Sequence, residues 1–342
     1  MFDKGQSLEN EFESEQALAC YELAMKKAKT ENNDDLFVRA LEASAYVLME
    51  LEKDEEARSR LKRVISLDPN GGSHQKYMFL AQLSEGMDAV NLYKSGIELI
   101  KKCRLNEADK AVECNKQEAD AYCAVADLYM TDLCDEADAE SVCLDCITKA
   151  CAVDPENAQA WFTAASFHTV KAQQDKSREC VEKCLALMNP KIEAALEDQA
   201  KKESESEQEE EGGQIDLEDV TGIPLASLIA LTRIMIELQM WQKAADLLEV
   251  MLEEEEDNVE IYYLLVEVGK ELKWMESDPD AMREYASNCK IMSAQLGDTQ
   301  LAEEMEELLK QLPEPAQSID GDDNEELQLD CSSSDDEQME LT

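Results

Sequence analysis

A spacing constrains this chain more than any other feature. Ala57, Leu61 and Val64 run small, large, small or β-branched at intervals of four and three, and Pro69 follows five residues later. Positions i, i+4 and i+7 share one helix face. Small residues on that face let a neighbouring helix approach closely, and the proline ends the helix. The pattern recurs weakly at Ala89, Tyr93 and Gly96, then clearly at Cys143, Ile147 and Ala150 before Pro155, and 34 residues on at Ser177, Val181 and Cys184 before Pro190. Ala244, Leu248 and Met251 repeat it again, and Ala281 with Tyr285 more loosely.

Each such helix is preceded by a companion with its own apolar face. Leu41, Ala45 and Leu48 mark one from about Leu36 to Leu51; Tyr122, Val125, Ala126 and Tyr129 mark another, followed by a turn enlarged around Asp135 to Glu140. Trp161, Ala164, Ala165 and His168, then Leu228, Leu231 and Met235, then Tyr262, Leu265 and Gly269 complete the set. Helix pairs near this period, closed at Asp68-Pro69 and Asp154-Pro155, resemble tetratricopeptide (TPR) units. The expected fold is all-α: a right-handed superhelical TPR-type solenoid in which each pair buries its apolar face on the next. Alternating β-branched runs between turn dipeptides are missing, which argues against strands. Ala17, Tyr21 and Ala24 look like a lone second helix capping the N-terminal end.

The remaining segments are acidic. Glu193 to Asp219 carries twelve carboxylates against two lysines, with no large apolar residue between Glu197 and Gly213, and Pro313 to Thr342 carries eleven carboxylates and no basic residue. Such composition does not supply a packed core. The expected organisation is therefore a flexible N-terminus (1–12), N-terminal TPR-like repeats (13–192), an acidic linker or insertion (193–220), C-terminal TPR-like repeats (221–311) and a disordered acidic tail (312–342). With 79 acidic and 32 basic residues the formal charge is -47. A chain so charged repels nucleic acid and anionic membrane and attracts basic proteins. Ser332, Ser333 and Ser334 each have a carboxylate three residues on, which suits acidophilic phosphorylation adding roughly -1.5 to -2 charges per site.

Catalytic and metal chemistry find little support. Cys143 and Cys146 form a CxxC and Cys180 and Cys184 a CxxxC, but both fall in helices where cysteine serves as a compact packing residue. Zinc needs four convergent ligands, and the two histidines, His74 and His168, lie in different units. No phosphate-binding glycine loop or nucleophile–histidine pair is visible. The expectation is a binding protein with no cofactor and no metal, not an enzyme. Met1 to Gln16 has no apolar core of the kind a signal peptide needs, and the apolar runs fall short of a membrane span.

In TPR units the first helices line the inner surface. Registered on their closing positions, the copies place Glu42 and Tyr46, His74 and Met78, Cys123 and Asp127, Phe162 and Ser166, Ile229 and Arg233, and Tyr263 and Glu267 inward. This mixture of carboxylates and aromatics suits a client with basic and apolar side chains, the aromatics supplying affinity and the carboxylates orientation and on-rate. It does not suit the co-chaperone clamp, which grips a C-terminal carboxylate with lysine, arginine and asparagine.

Four stretches together, YKSGIELIKK (Tyr93 to Lys102), ADLYMTDLCDEADAE (Ala126 to Glu140), AVDPENAQAW (Ala152 to Trp161) and the acidic break before a final pair of units, resemble the TPR-repeat assembly chaperones of the large-subunit ribosomal protein uL4. The similarity spans about residues 15 to 310, plus an acidic tail. The resemblance implies a dedicated chaperone, here expected as a monomer, that captures newly made uL4 by a basic internal loop, prevents its aggregation and delivers it to the assembling large subunit, acting in cytoplasm and nucleus without touching nucleic acid. An acidic TPR scaffold or a histone chaperone with another basic client is the alternative that composition leaves open.

Overall fold

The computed structural model describes residues 1–205 and 215–313. Among these, every regular element is helical. The helices run in antiparallel pairs: α1 (Phe2–Asn10) with α2 (Ser14–Glu31), α3 (Asp34–Glu50) with α4 (Asp54–Leu67), α5 (Gln75–Gln82) with α6 (Gly86–Asn106), α7 (Ala111–Met130) with α8 (Ala139–Val153), and α9 (Ala158–Val170) with α10 (Gln174–Glu205). After a single turn, α11 (Leu217–Thr221), come α12 (Leu225–Glu237) with α13 (Trp241–Glu254). Next, α14 (Val259–Glu271) packs on α16 (Pro279–Leu296) across the short α15 (Trp274–Ser277), and α17 (Thr299–Gln311) closes the stack.

The short spacings of the sequence explain the packing. Ala57, Leu61 and Val64 of α4 are fully buried, as are Ala244, Leu248 and Met251 of α13. Asparagine and aspartate start the helices: the Oδ1 atoms of Asn33, Asn157, Asp278 and Asp298 each accept from a backbone N–H three residues on, at 2.9–3.1 Å. Within pairs a single turn geometry recurs. Phe12, Glu52, Ala172 and Gln239 all have φ between 54° and 59°, and each following N–H donates across the turn to the carbonyl five residues back at 2.8 Å. That bond satisfies a carbonyl the helix end leaves open, offsetting the roughly 1–2 kcal/mol of holding a non-glycine residue left-handed.

The first helices α7, α9, α12 and α14 pack on one another in succession, whereas no two successive second helices are among the main contacts of the described residues. A stack whose first helices are closer than its second helices must curve toward the first. From α7 to α14 this gives the solenoid an inner face built from first helices, and one apolar core runs continuously from Ala81 to Val268.

Three local expectations are corrected. Residues 1–12 are not a loose lead-in, because α1 packs on α2 through Phe2 and Leu8 beside buried Tyr21, so Ala17, Tyr21 and Ala24 belong to a full pair. Pro190 does not close its helix. It forfeits the bond to the carbonyl of Ala186, but buried Met188 and Ile192 and half-buried Leu196 extend the apolar stripe past it, and α10 continues to Glu205 across the expected boundary at 192. Residues 215–223 return to the core, with Leu217 and Ile223 buried. The acidic run Ser206 to Glu211 and the tail with Ser332, Ser333 and Ser334 lie outside the described residues.

Candidate functional site

The inner face is not uniform. At its N-terminal end, α1, α3 and the loop 68–74 enclose a cavity of about 600 Å³. Five carboxylates line it, Glu9, Asp34, Asp35, Glu42 and Asp68, against one cation, Arg39. Arg39 is held to the side, stacked on the Phe2 ring at 4.7 Å and 3.9 Å from Asp35. Glu42 is only 7% exposed. Its Oε1 accepts from the Tyr46 hydroxyl at 2.6 Å, and burial, then the Glu42 charge, raises the Tyr46 phenol. Tyr46 also packs edge-on to Phe79 of α5, centroids 4.9 Å apart. One wall of the cavity is thus an aromatic ring with a carboxylate fixed on it.

The loop over this cavity is held from beneath. Lys76, 1% exposed, donates its Nζ to the carbonyls of Asp68, at 2.5 Å, and Gly71. Burial draws its pKa down, while the Glu42 and Asp68 charges oppose that shift. Gly72 has φ +66°, and a Cβ there would stand 3.0 Å from Glu42 Oε2. Only glycine both takes this backbone conformation without strain and leaves the carboxylate its space.

Further along, Asp127 of α7 is half-buried, and burial pushes its carboxyl up to about 6. Among the described residues it has neither an ion-pair partner nor a side-chain hydrogen bond, in contrast to two other carboxylates of the same helix. Asp120 accepts from Asn157 Nδ2 at 2.7 Å. Glu118, 1% exposed, pairs with Arg104 at 2.7 Å and Lys101 at 3.9 Å. At the C-terminal end Tyr263 is half-buried, Glu267 pairs with Lys270 at 2.6 Å and Arg233 with Glu260 at 2.7 Å. Between the ends, α9 contributes no carboxylate.

Several marked positions are packing residues. Cys123 is 2% exposed, Phe162 8% and Ile229 8%, all inside the main core, because first helices touch one another there and close over these side chains. Met78 lies against Gly96 of α6, where a Cβ would meet its Cε at 2.2 Å. His74 stands at the start of α5 in a neighbouring cavity with Lys102, Lys110 and Glu113, and burial lowers its imidazole. Ser166 bonds back to the Phe162 carbonyl. Glu42, Tyr46, Asp127, Arg233, Tyr263 and Glu267 remain as inner-face candidates. The sequence did not mark Glu9, Asp34, Asp35 or Asp68; the one available signal was Asp68 in its Asp-Pro turn.

The cysteines behave as core. Burial pushes the Cys143 and Cys184 thiols up to about 12 and Cys146 to about 11, so they are protonated and poor nucleophiles. Among the described residues no cluster of histidine, cysteine or carboxylate has the arrangement to hold a metal, and no helix is long and apolar enough to cross a membrane.

Fold and site together define a TPR-type helical solenoid with an acidic, partly aromatic inner face. No family model matches the chain. It is 29% identical over 257 residues to a protein described as "Probable assembly chaperone of rpl4" from Schizosaccharomyces pombe, covering 74% of this chain and 68% of that one. A protein of the same description from Emericella nidulans is 24% identical over 285 residues, covering 79% of this chain and 64% of that one. The chain thus spans about two thirds of the length of these relatives. Among solved structures, "Assembly Chaperone of RpL4 (Acl4) (Residues 1-338)" superposes with a TM-score of 0.63 at 23% identity, covering 81% of this chain and 96% of that one. The Cut9–Hcn1 hetero-tetramer of the APC/C aligns at a TM-score of 0.50 and 12% identity, covering 88% of this chain and 48% of that chain, a likeness of fold only. The resemblance to assembly chaperones of rpl4 is therefore shown by sequence as well as by fold.

Proposed function

We propose that this chain is a dedicated chaperone of a basic ribosomal protein, uL4, which it holds on its inner face, keeps from aggregating and passes to the assembling large subunit. The relatives described as assembly chaperones of rpl4 supply the client's name. The observation that carries the reading is the inner face itself: a five-carboxylate cavity with one cation, an aromatic wall, and farther along an ionisable Asp127 with no cation beside it. A half-buried carboxylate without a cation, as Asp127 is, is costly in the free protein, and a lysine- or arginine-rich client relieves that cost while meeting the surplus negative charge of the cavity. The same client surface is built for RNA phosphate, so the acidic cradle occupies it until RNA competes. The chain acts by binding rather than catalysis, as a monomer in cytoplasm and nucleus, and engages no nucleic acid itself. Tyr46 and Tyr263 are its apolar anchors and Glu42, Asp127 and Glu267 its charged contacts.

The test is co-expression of the tagged full chain with uL4 and capture at moderate salt. Stoichiometric uL4 is expected, with recovery falling as salt rises. Reversing Glu42, Asp127 and Glu267 to lysine lowers recovery about tenfold, a loss of roughly 1.4 kcal/mol, in a variant whose far-UV circular dichroism is unchanged, whereas reversing three tail carboxylates has a smaller effect. Equal losses from groove and tail, or capture of histones in place of uL4, would refute the reading.

A further inference from the structure

The opposite side of the first two helix pairs carries charge of the other sign. Between α2 and α4 lies a cavity of about 330 Å³ whose walls are Lys26, Lys29, Arg60 and Arg63, over a floor of Phe37 and Leu41 from α3. Glu22 is its one carboxylate, and it is already paired with Arg60 at 3.1 Å. Lys29 Nζ stands 5.1 Å, and the Arg63 guanidinium 5.6 Å, from the centre of the half-buried Phe37 ring. Among the described residues no carboxylate lies within ion-pair distance of Lys26, Lys29 or Arg63, and Arg60 Nη1 is buried without any hydrogen-bond partner. Four cations lining one groove, two of them over its ring and one with a guanidinium nitrogen unsatisfied, are not what the packing of α2 and α4 on α3 needs. In a chain of formal charge -47 this is a local inversion of sign.

We propose that this groove is a second docking surface, for an acidic segment of a partner protein whose carboxylates meet the four cations while an aliphatic side chain rests on Phe37. Charge complementarity selects the occupant: the surrounding negative field repels acidic proteins everywhere except where local cations outnumber carboxylates. The occupant we assign is a segment supplied in trans. Because the groove lies between second helices, its occupation leaves the inner face free. A basic client and an acidic partner can then be carried together, a role independent of what the inner face holds.

A fluorescein-labelled twelve-residue peptide alternating glutamate pairs with leucine serves as probe, titrated against the full chain by fluorescence anisotropy at low ionic strength. Saturable binding is expected, weakened at least tenfold by Lys29→Glu with Arg63→Glu, and weakened several-fold by Phe37→Ala. A peptide with glutamine in place of glutamate should not bind. Circular dichroism and uL4 capture by the double variant should match the wild type, which separates this surface from the inner face. Absence of saturable binding, or binding indifferent to the double reversal, overturns the proposal. So does a full-length variant with amides in place of the tail carboxylates that binds the probe when the wild type does not, since the occupant would then be the chain's own tail.

Discussion

Replacing Asp127 by asparagine tests how the inner face stores electrostatic free energy for its client. Asp127 sits on α7 near Tyr93 of α6, whose phenol is pushed up to about 12 by burial and then by the Asp127 charge, and near the buried Cys143 thiol of α8. Burial alone raises the Asp127 carboxyl to about 6, against about 3.9 in an unfolded chain. The native state therefore binds this proton more tightly than the unfolded state, and ionisation costs stability as the pH climbs through about 6. The cost reaches about 3 kcal/mol at pH 7.5 and about half that at pH 5. The asparagine amide has no such ionisation, so Asp127→Asn should be more stable than the wild type at pH 7.5 by about 1–3 kcal/mol, the gain shrinking toward pH 5. Urea unfolding followed by far-UV circular dichroism at the two pH values measures this, both lying above the sequence pI of about 4.2. Client binding carries the complement: a lysine or arginine beside Asp127 lowers its pKa, so capture weakens as the pH falls below about 6, and the variant loses that dependence. A variant no more stable than the wild type at pH 7.5, or a gain that does not change with pH, would refute the reasoning.

Two further outcomes test the scaffold. Arg104→Met leaves Glu118 buried with only Lys101 nearby at 3.9 Å, and should cost about 3–5 kcal/mol in urea unfolding; adding Glu118→Leu should recover most of it, and no recovery would mean that the ion pair is not the cause. Gly269→Ala gains about 1 kcal/mol of helix propensity but drives its Cβ to 2.6 Å from the Trp274 ring, so a net loss of about 1–3 kcal/mol is expected from the thermal midpoint, and a raised midpoint would contradict the close approach of α14 to α15.

The repeat was legible in the sequence because helix faces are local. Ala57, Leu61 and Val64 lie within eight residues, and the 3.6-residue period places them together whatever the rest of the chain does. The caps at Asn33 and Asn157 are equally local, each side-chain oxygen accepting from a backbone N–H three residues on. The left-handed intra-pair turn was not legible, because Phe12, Glu52, Ala172 and Gln239 share no residue type; the helix pair on either side imposes their conformation. Nor was the course of α10 past Pro190, where burial of Ile192 outweighs a lost backbone bond.

For the site, the sequence by itself determined which sign of charge the protein carries and that its helices would pair and stack, since composition and short-range periodicity are properties of the chain alone. Tertiary structure decided which side chains face a client. Glu9, Glu42 and Asp68 meet in one cavity although they come from three separate segments, and Cys123 and Phe162 are withdrawn from the inner face because α7 and α9 close on them. The physical reason is range: a helix period specifies a face within about four residues, whereas exposure depends on how closely successive helices approach, which the stack as a whole decides.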